Sequence, residues 1–215
     1  MNPHLELLLS PVSAGALAPA HRADLEKSGI TEASRFIQGI RSVPPSDFDR
    51  LLGFPVPAAV TSLLLFPYPD PTGGYFDMFQ VKLFPSVIDA AGHMMKYLQP
   101  KGSTPQLYFV RSAVPLVMDP ATPLYLIEGP KKAIAAAQLG LAAVGFAGIH
   151  GWHVRGSREL LADFDTVPLD DRVVELVPDG DAATNPDVAR GAAAFGEALL
   201  ARGASARLVV LPVAA

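Results

Sequence analysis

The sequence predicts an α/β domain, a parallel sheet flanked by helices, preceded by a small α+β subdomain. Three observations carry this. Short apolar runs alternate with helical stretches through the second half of the chain. The two longer helical stretches there begin at a proline and stop at a glycine. The first half lacks that alternation and shows a turn-centred pair of strands behind short helices. The stretch Ser112–Pro123, with its three prolines, reads as the boundary. It gives a subdomain over residues 1–115 and an α/β domain over residues 116–215.

In the first half, Ala18–Gly29 and Thr31–Gln38 predict two short helices. Ser46–Leu52 predicts a third, with Ser46 as its cap. Ser62–Pro67 and Gly74–Leu83 predict strands on either side of the turn Pro69-Asp70-Pro71-Thr72-Gly73-Gly74. In the second half, Leu124–Ile127 predicts a strand. Pro130–Leu139 follows as a helix ended by Gly140, and Ala142–Phe146 as a second strand. Arg158–Phe164 predicts a short helix and Arg172–Val177 a third strand. Asn185-Pro186 opens a long helix through Arg202, and Ala206–Leu211 predicts a fourth strand. In such sheets ligands gather outside the carboxyl ends of the strands.

Composition narrows the function. Half of the 215 residues are hydrophobic and 18% are charged, which suits a packed core and argues against disorder. Apolar runs break well before the roughly 18 residues a membrane helix needs, and a cytoplasmic location is expected. There is no cysteine, which excludes disulfides, thiolate metal sites and a cysteine nucleophile. The net charge of −4 means that any contact with nucleic acid needs a local basic patch or bound metal ions. No Gly-x-Ser-x-Gly and no Walker A motif is present.

The chemistry is expected at the strand ends. Glu128 follows the strand ending at Ile127, and Gly129 lets the backbone turn sharply into the next helix. Asp179 and Asp181 follow the third strand. An extended Asp-x-Asp projects both carboxylates to one side of the chain. Three carboxylates converging from two neighbouring strands repel one another unless neutralised. Hard divalent ions resolve that repulsion, and Mg²⁺ takes one or two carboxylates while keeping waters for a phosphate to replace. His150 and His153 lie three apart in the loop GIHGWHVRG without a matching third zinc ligand nearby. That loop is expected at the site rim, with Trp152 packing or stacking on a base.

These residues resemble the Toprim domain shared by bacterial-type primases, topoisomerases and some nucleases. In it one strand ends in Glu-Gly and a later one in Asp-x-Asp, as Glu128-Gly129 and Asp179-Gly180-Asp181 do. The segment FPYPDPTGGYFDMFQVKLF resembles the aromatic-rich hairpin that precedes the Toprim domain in bacterial-type primases. KYLQPKGSTPQLYF resembles their Lys-Tyr-Leu segment. The resemblance spans roughly Leu17 to Pro212. Glu128-Gly129-Pro130-Lys131 is similar to the Glu-Gly-x-Lys form found in Toprim-like domains of phage and plasmid replication proteins, often beside a helicase. Where many primases have Glu-Gly-x-x-Asp, this chain has Lys132.

The resemblance implies that Glu128, Asp179 and Asp181 bind Mg²⁺ or Mn²⁺ and carry catalysis, with Glu128 alternatively a general base. It implies that Lys96 contacts a phosphate of template or nucleotide. Lys82, Lys101 and Arg111 extend a basic track, and Lys131 and Lys132 stand at a helix start that favours anions. Tyr97 is expected in the core. The activity implied is primer synthesis on single-stranded DNA from nucleoside triphosphates by a protein of a mobile element, with a replicative helicase as a possible partner. A metal-dependent nuclease and a non-catalytic nucleic-acid-binding module are the alternatives.

Overall fold

The computed structural model describes residues 17–179 and 185–210. The chain divides into two compact units, one ending at Thr104 and the other starting at Pro105.

Two helices are the first described elements of the first unit. Helix α1 spans Pro19–Lys27, with proline in its first turn. Helix α2 spans Glu32–Gln38; the Thr31 hydroxyl accepts the Ser34 N–H, and Gly39 at φ 73° closes the helix. Strand β1 is Arg41–Val43. The helix expected over Ser46–Leu52 is instead a 3-10 turn, Pro45–Asp47, followed by the short helix α3, Asp49–Leu52. Ser46 caps neither; its hydroxyl donates to Asp47 Oδ1 at 3.4 Å. The N-cap of α3 is Phe48, whose fully buried ring meets Phe79 edge-on at 5.4 Å. Packing of that ring, rather than a hydroxyl cap, fixes this corner.

Strands β2 (Ser62–Pro69), β3 (Tyr75–Ile88) and β4 (Met94–Leu98) complete an antiparallel sheet in the order β1-β2-β3-β4. The β2–β3 turn is closed by Asp70. Its carboxylate accepts the backbone N–H groups of Thr72 at 2.7 Å and Gly74 at 3.3 Å. Phe48, Leu52, Leu63, Leu65, Val81 and Leu83 form the core. His21 ties α1 to this sheet: its ring nitrogens lie 2.7 Å from the Ser42 hydroxyl and 3.0 Å from that of Ser62. Burial holds its pKa below the ordinary histidine value.

The second unit opens with strand β5 (Tyr108–Phe109) and helix α4 (Val114–Val117). Then come β6 (Leu124–Glu128), α5 (Pro130–Gln138) and β7 (Ala142–Phe146). A 3-10 turn, Ala162–Thr166, precedes β8 (Val173–Val177), α6 (Pro186–Ala201) and β9 (Ser205–Leu208). The sheet order is β5-β7-β6-β8-β9. Strands β6 to β9 run parallel, while β5 pairs antiparallel with β7 through Tyr108↔Gly145. That pairing carries residues 105–115 into this unit, so the proline-rich stretch Ser112–Pro123 lies inside it rather than at its border.

The helix expected over Arg158–Phe164 forms only as the later 3-10 turn, and Leu160 bridges to His153 instead. Asp163 Oδ2 accepts the Leu107 N–H at 2.7 Å, and buried Leu161 and Phe164 anchor the segment. Helix α6 starts as expected: the Asn185 side chain accepts the Asp187 N–H. Leu124, Leu126, Val144, Phe146, Leu176, Phe195 and Leu199 are buried between the sheet and its flanking helices. No helix among the described residues is long and apolar enough to cross a membrane.

Candidate active site

The parallel pairing of β6 with β8 decides where the acids fall. Ile127 pairs with Val177, so both strands finish at the same level of the sheet. Glu128 is the last residue of β6, and Asp179 follows β8 by two residues. The two meet: the Asp179 backbone N–H donates to Glu128 Oε2 at 2.9 Å. This bond ties the two strand ends together and orients the Glu128 carboxylate. Asp181 lies outside the described residues.

Gly129 makes the exit from β6 possible. Its φ of 93° lies in a region that side chains avoid. Its carbonyl accepts the Ala133 N–H, which starts α5, and its N–H donates to the Phe146 carbonyl at 2.8 Å. A Cβ at Gly129 would lie 3.5 Å from Cε of Lys132, so the lysine stem folds back across the glycine. The Lys132 ammonium ends on Asp179 Oδ1. The third residue of α5 therefore reaches over the strand end to a carboxylate just beyond the neighbouring strand.

This donor set suits a hard cation. Two carboxylates on adjacent strand ends supply the oxygen ligands that Mg²⁺ or Mn²⁺ prefers. A cationic group, the Lys132 ammonium, already stands on one of them. Among the described residues no group of three or more His, Asp or Glu side chains could hold a metal ion. Of the three residues expected to bind metal, Glu128 and Asp179 lie among the described ones.

The other expected residues divide between the units. Lys96 and Lys101 are exposed in the first. Lys82 does not present its charge to a ligand: it is only 16% exposed, its ammonium is paired with Asp24, and it lies over the rings of Phe84 and Tyr97 at 5.5 and 5.9 Å. Burial pushes the Tyr97 hydroxyl up to about 12, in keeping with a largely packed ring. In the second unit Arg111 is half-buried, as is Lys131 in the first turn of α5.

The loop after β7 is committed to packing. Trp152 is 2% exposed and stacks on Phe195 at 5.0 Å, which leaves no face for a base. The His153 ring bonds to the Val154 carbonyl, and His150 Nε2 lies 3.3 Å from Asp187 Oδ2. That bond from His150, with Arg190 beside it, holds the Asp187 carboxyl below its usual range. The Lys132–Asp179 pair was not read from the sequence. Its signal was a lysine in the first turn of a helix, where a cation is disfavoured unless a carboxylate faces it.

A family described as a domain of unknown function, DUF3854, matches residues 115–214. No curated protein matches the sequence. Among solved structures, the E. coli primase catalytic core aligns over 96% of this chain and 68% of its own, at 21% identity and a TM-score of 0.58. The DnaG primase catalytic domain bound to single-stranded DNA aligns over 96% and 69%, at 22% identity and a TM-score of 0.56. The RNA polymerase domain of Mycobacterium tuberculosis DnaG, in complex with double-stranded DNA, aligns over 97% and 69%, at 18% identity and a TM-score of 0.60. The fold is that of bacterial primase catalytic cores.

Proposed function

We propose that the protein is a primase-like nucleotidyltransferase, a Toprim enzyme that makes primers on single-stranded DNA from nucleoside triphosphates. The observation that carries this is the joined end of β6 and β8, where Asp179 donates its N–H to the Glu128 carboxylate at the sheet's carboxyl edge. The likeness of the fold to primase cores, one of them bound to single-stranded DNA, supports the substrate class. Glu128-Gly129-Pro130-Lys131 supports a setting in a phage, plasmid or other mobile element, beside a replicative helicase in the cytoplasm.

In this reading Glu128, Asp179 and Asp181 are the ligands for Mg²⁺ or Mn²⁺. Held there, the ion would supply Lewis-acid stabilisation of the charge that develops on a transferred phosphoryl group. The chain's own residues place it. The Asp179 N–H fixes the Glu128 carboxylate, and the turn at Gly129 holds the start of α5 against the same edge. Lys131 and Lys132 at that helix start face phosphate oxygens, while Lys96, Lys101 and Arg111 contact backbone phosphates. Lys82 supports the first unit through Asp24 instead.

Labelled primer synthesis on single-stranded DNA, with all four nucleotides and Mg²⁺ or Mn²⁺, tests this. The wild type makes product. Glu128→Gln and Asp179→Asn lower the rate at least about a hundredfold, as loss of a group that positions transition-state charge does. Product absent under every metal and template tried overturns the reading. Cutting of DNA without nucleotides identifies a nuclease, and binding without turnover identifies a docking module.

A further inference from the structure

We propose that Lys132 is a tethered competitor for the cation position at this edge: its ammonium holds Asp179 until a divalent ion displaces it, so the lysine sets how tightly that ion is held. The proposal rests on the reading of Glu128 and Asp179 as metal ligands.

The geometry is specific. Lys132 is the third residue of α5, within the first turn, where unpaired N–H groups create a positive field. A lysine there is repelled by its own helix. Its stem nonetheless turns back over Gly129 and places the ammonium on Asp179 Oδ1. The backbone of that same Asp179 is tied to the neighbouring strand end, its N–H donating to Glu128 Oε2. Two acids that end on one sheet edge favour a cation there, and Lys132 brings one to Asp179.

Displacement is within reach. The side chains of Lys132 and Asp179 are 44% and 52% exposed, so their pair is weakened by water and salt. A divalent ion carries twice the charge of an ammonium and prefers carboxylate oxygens as ligands, so it would compete for Asp179. The released ammonium remains at the same edge, where it meets a phosphate that arrives with the metal.

Direct binding of Mn²⁺ to the full chain at low ionic strength, followed by the electron paramagnetic signal of the free ion, tests this. Lys132→Met keeps the stem and removes the charge; Lys132→Arg keeps the charge. Lys132→Met is expected to bind Mn²⁺ roughly three- to tenfold more tightly than wild type, and Lys132→Arg about equally. The gain shrinks as salt is raised, and it disappears in the Asp179→Asn background. Equal or weaker binding by Lys132→Met overturns the proposal and leaves the metal ligands standing. Failure of wild type and variant alike to bind Mn²⁺ overturns both. An independent readout needs no variant: reductive methylation of Lys132, followed by mass spectrometry, is expected to speed up when Mg²⁺ is added. An unchanged rate in saturating Mg²⁺ overturns the displacement.

Discussion

At the scale of the residue, Gly129 links the fold to the chemistry. It has φ 93° and ψ 136°, a combination open to glycine and strained for any side chain. Gly129→Ala therefore costs about 1–3 kcal/mol of stability. Space is not the reason, because the new Cβ would lie in ordinary contact with Cε of Lys132, 3.5 Å away. Thermal unfolding of the variant checks this, and an unchanged midpoint would show that the turn relaxes without cost. The glycine and the acid before it were legible in the sequence because both act locally: a strand that must turn into a helix within one residue needs such a glycine. The position of Asp179 was legible through topology, since parallel strands of one sheet finish on one edge. Its pairing with Lys132 was not, because that depends on where a long flexible side chain rests after both elements have docked.

At the scale of the element, the helices with a proline in the first turn and a glycine beyond the end lie where the sequence predicts. Their signals are carried within a few residues, as at Pro130 and Gly140 or Asn185 and Gly203. The short strands β1, β4 and β5 were missed. A strand of two or three residues owes its existence to partners far along the chain, as Tyr108 does to Gly145. Strand β3 outruns its expected end at Leu83 because Pro85, which reads as a stop, sits where the register between Lys82 and Val87 is irregular. Arg172 was read as the first residue of a strand and instead acts as a clamp. It is 1% exposed and donates to the carbonyls of Leu116, Val117, Thr122 and Pro168. Two of those carbonyls, Leu116 and Val117, belong to the end of helix α4, and the Leu116 carbonyl also accepts the Asp119 N–H at 3.3 Å. Arg172→Met fills the volume but leaves buried carbonyls unsatisfied, so a loss of about 3 kcal/mol is expected. Urea unfolding measures it. A loss under about 1 kcal/mol would mean that water takes over the carbonyls.

At the scale of the whole molecule, the two units differ in what they contribute. Every strand of the first sheet lies before residue 104, and every strand of the second after residue 105. Among the described residues each sheet draws all its strands from its own stretch of chain. Between Leu98, which ends β4, and Tyr108, which starts β5, no regular element forms, and Lys101 in that stretch is exposed. Trypsin needs an accessible segment that opens locally. Here Lys101 is exposed in a surface turn held by two backbone bonds, its N–H to the Leu52 carbonyl and the Ser103 N–H to the Pro100 carbonyl. Limited digestion is therefore expected to cut after Lys101 early and to leave a resistant fragment that begins at Gly102. That fragment keeps β6, β8 and α5, and with them Glu128, Asp179 and Lys132. If the metal ligands lie wholly in the second unit, the fragment binds Mn²⁺ as tightly as the intact chain while losing the exposed lysines Lys96 and Lys101, and with them most affinity for single-stranded DNA. Mass spectrometry of the digest and Mn²⁺ titration of the purified fragment decide the matter. A first cut inside the β6–β9 sheet, or a fragment that unfolds on release, would mean that the acidic edge depends on the first unit for its shape, and that metal and template sites are built together rather than one on each unit.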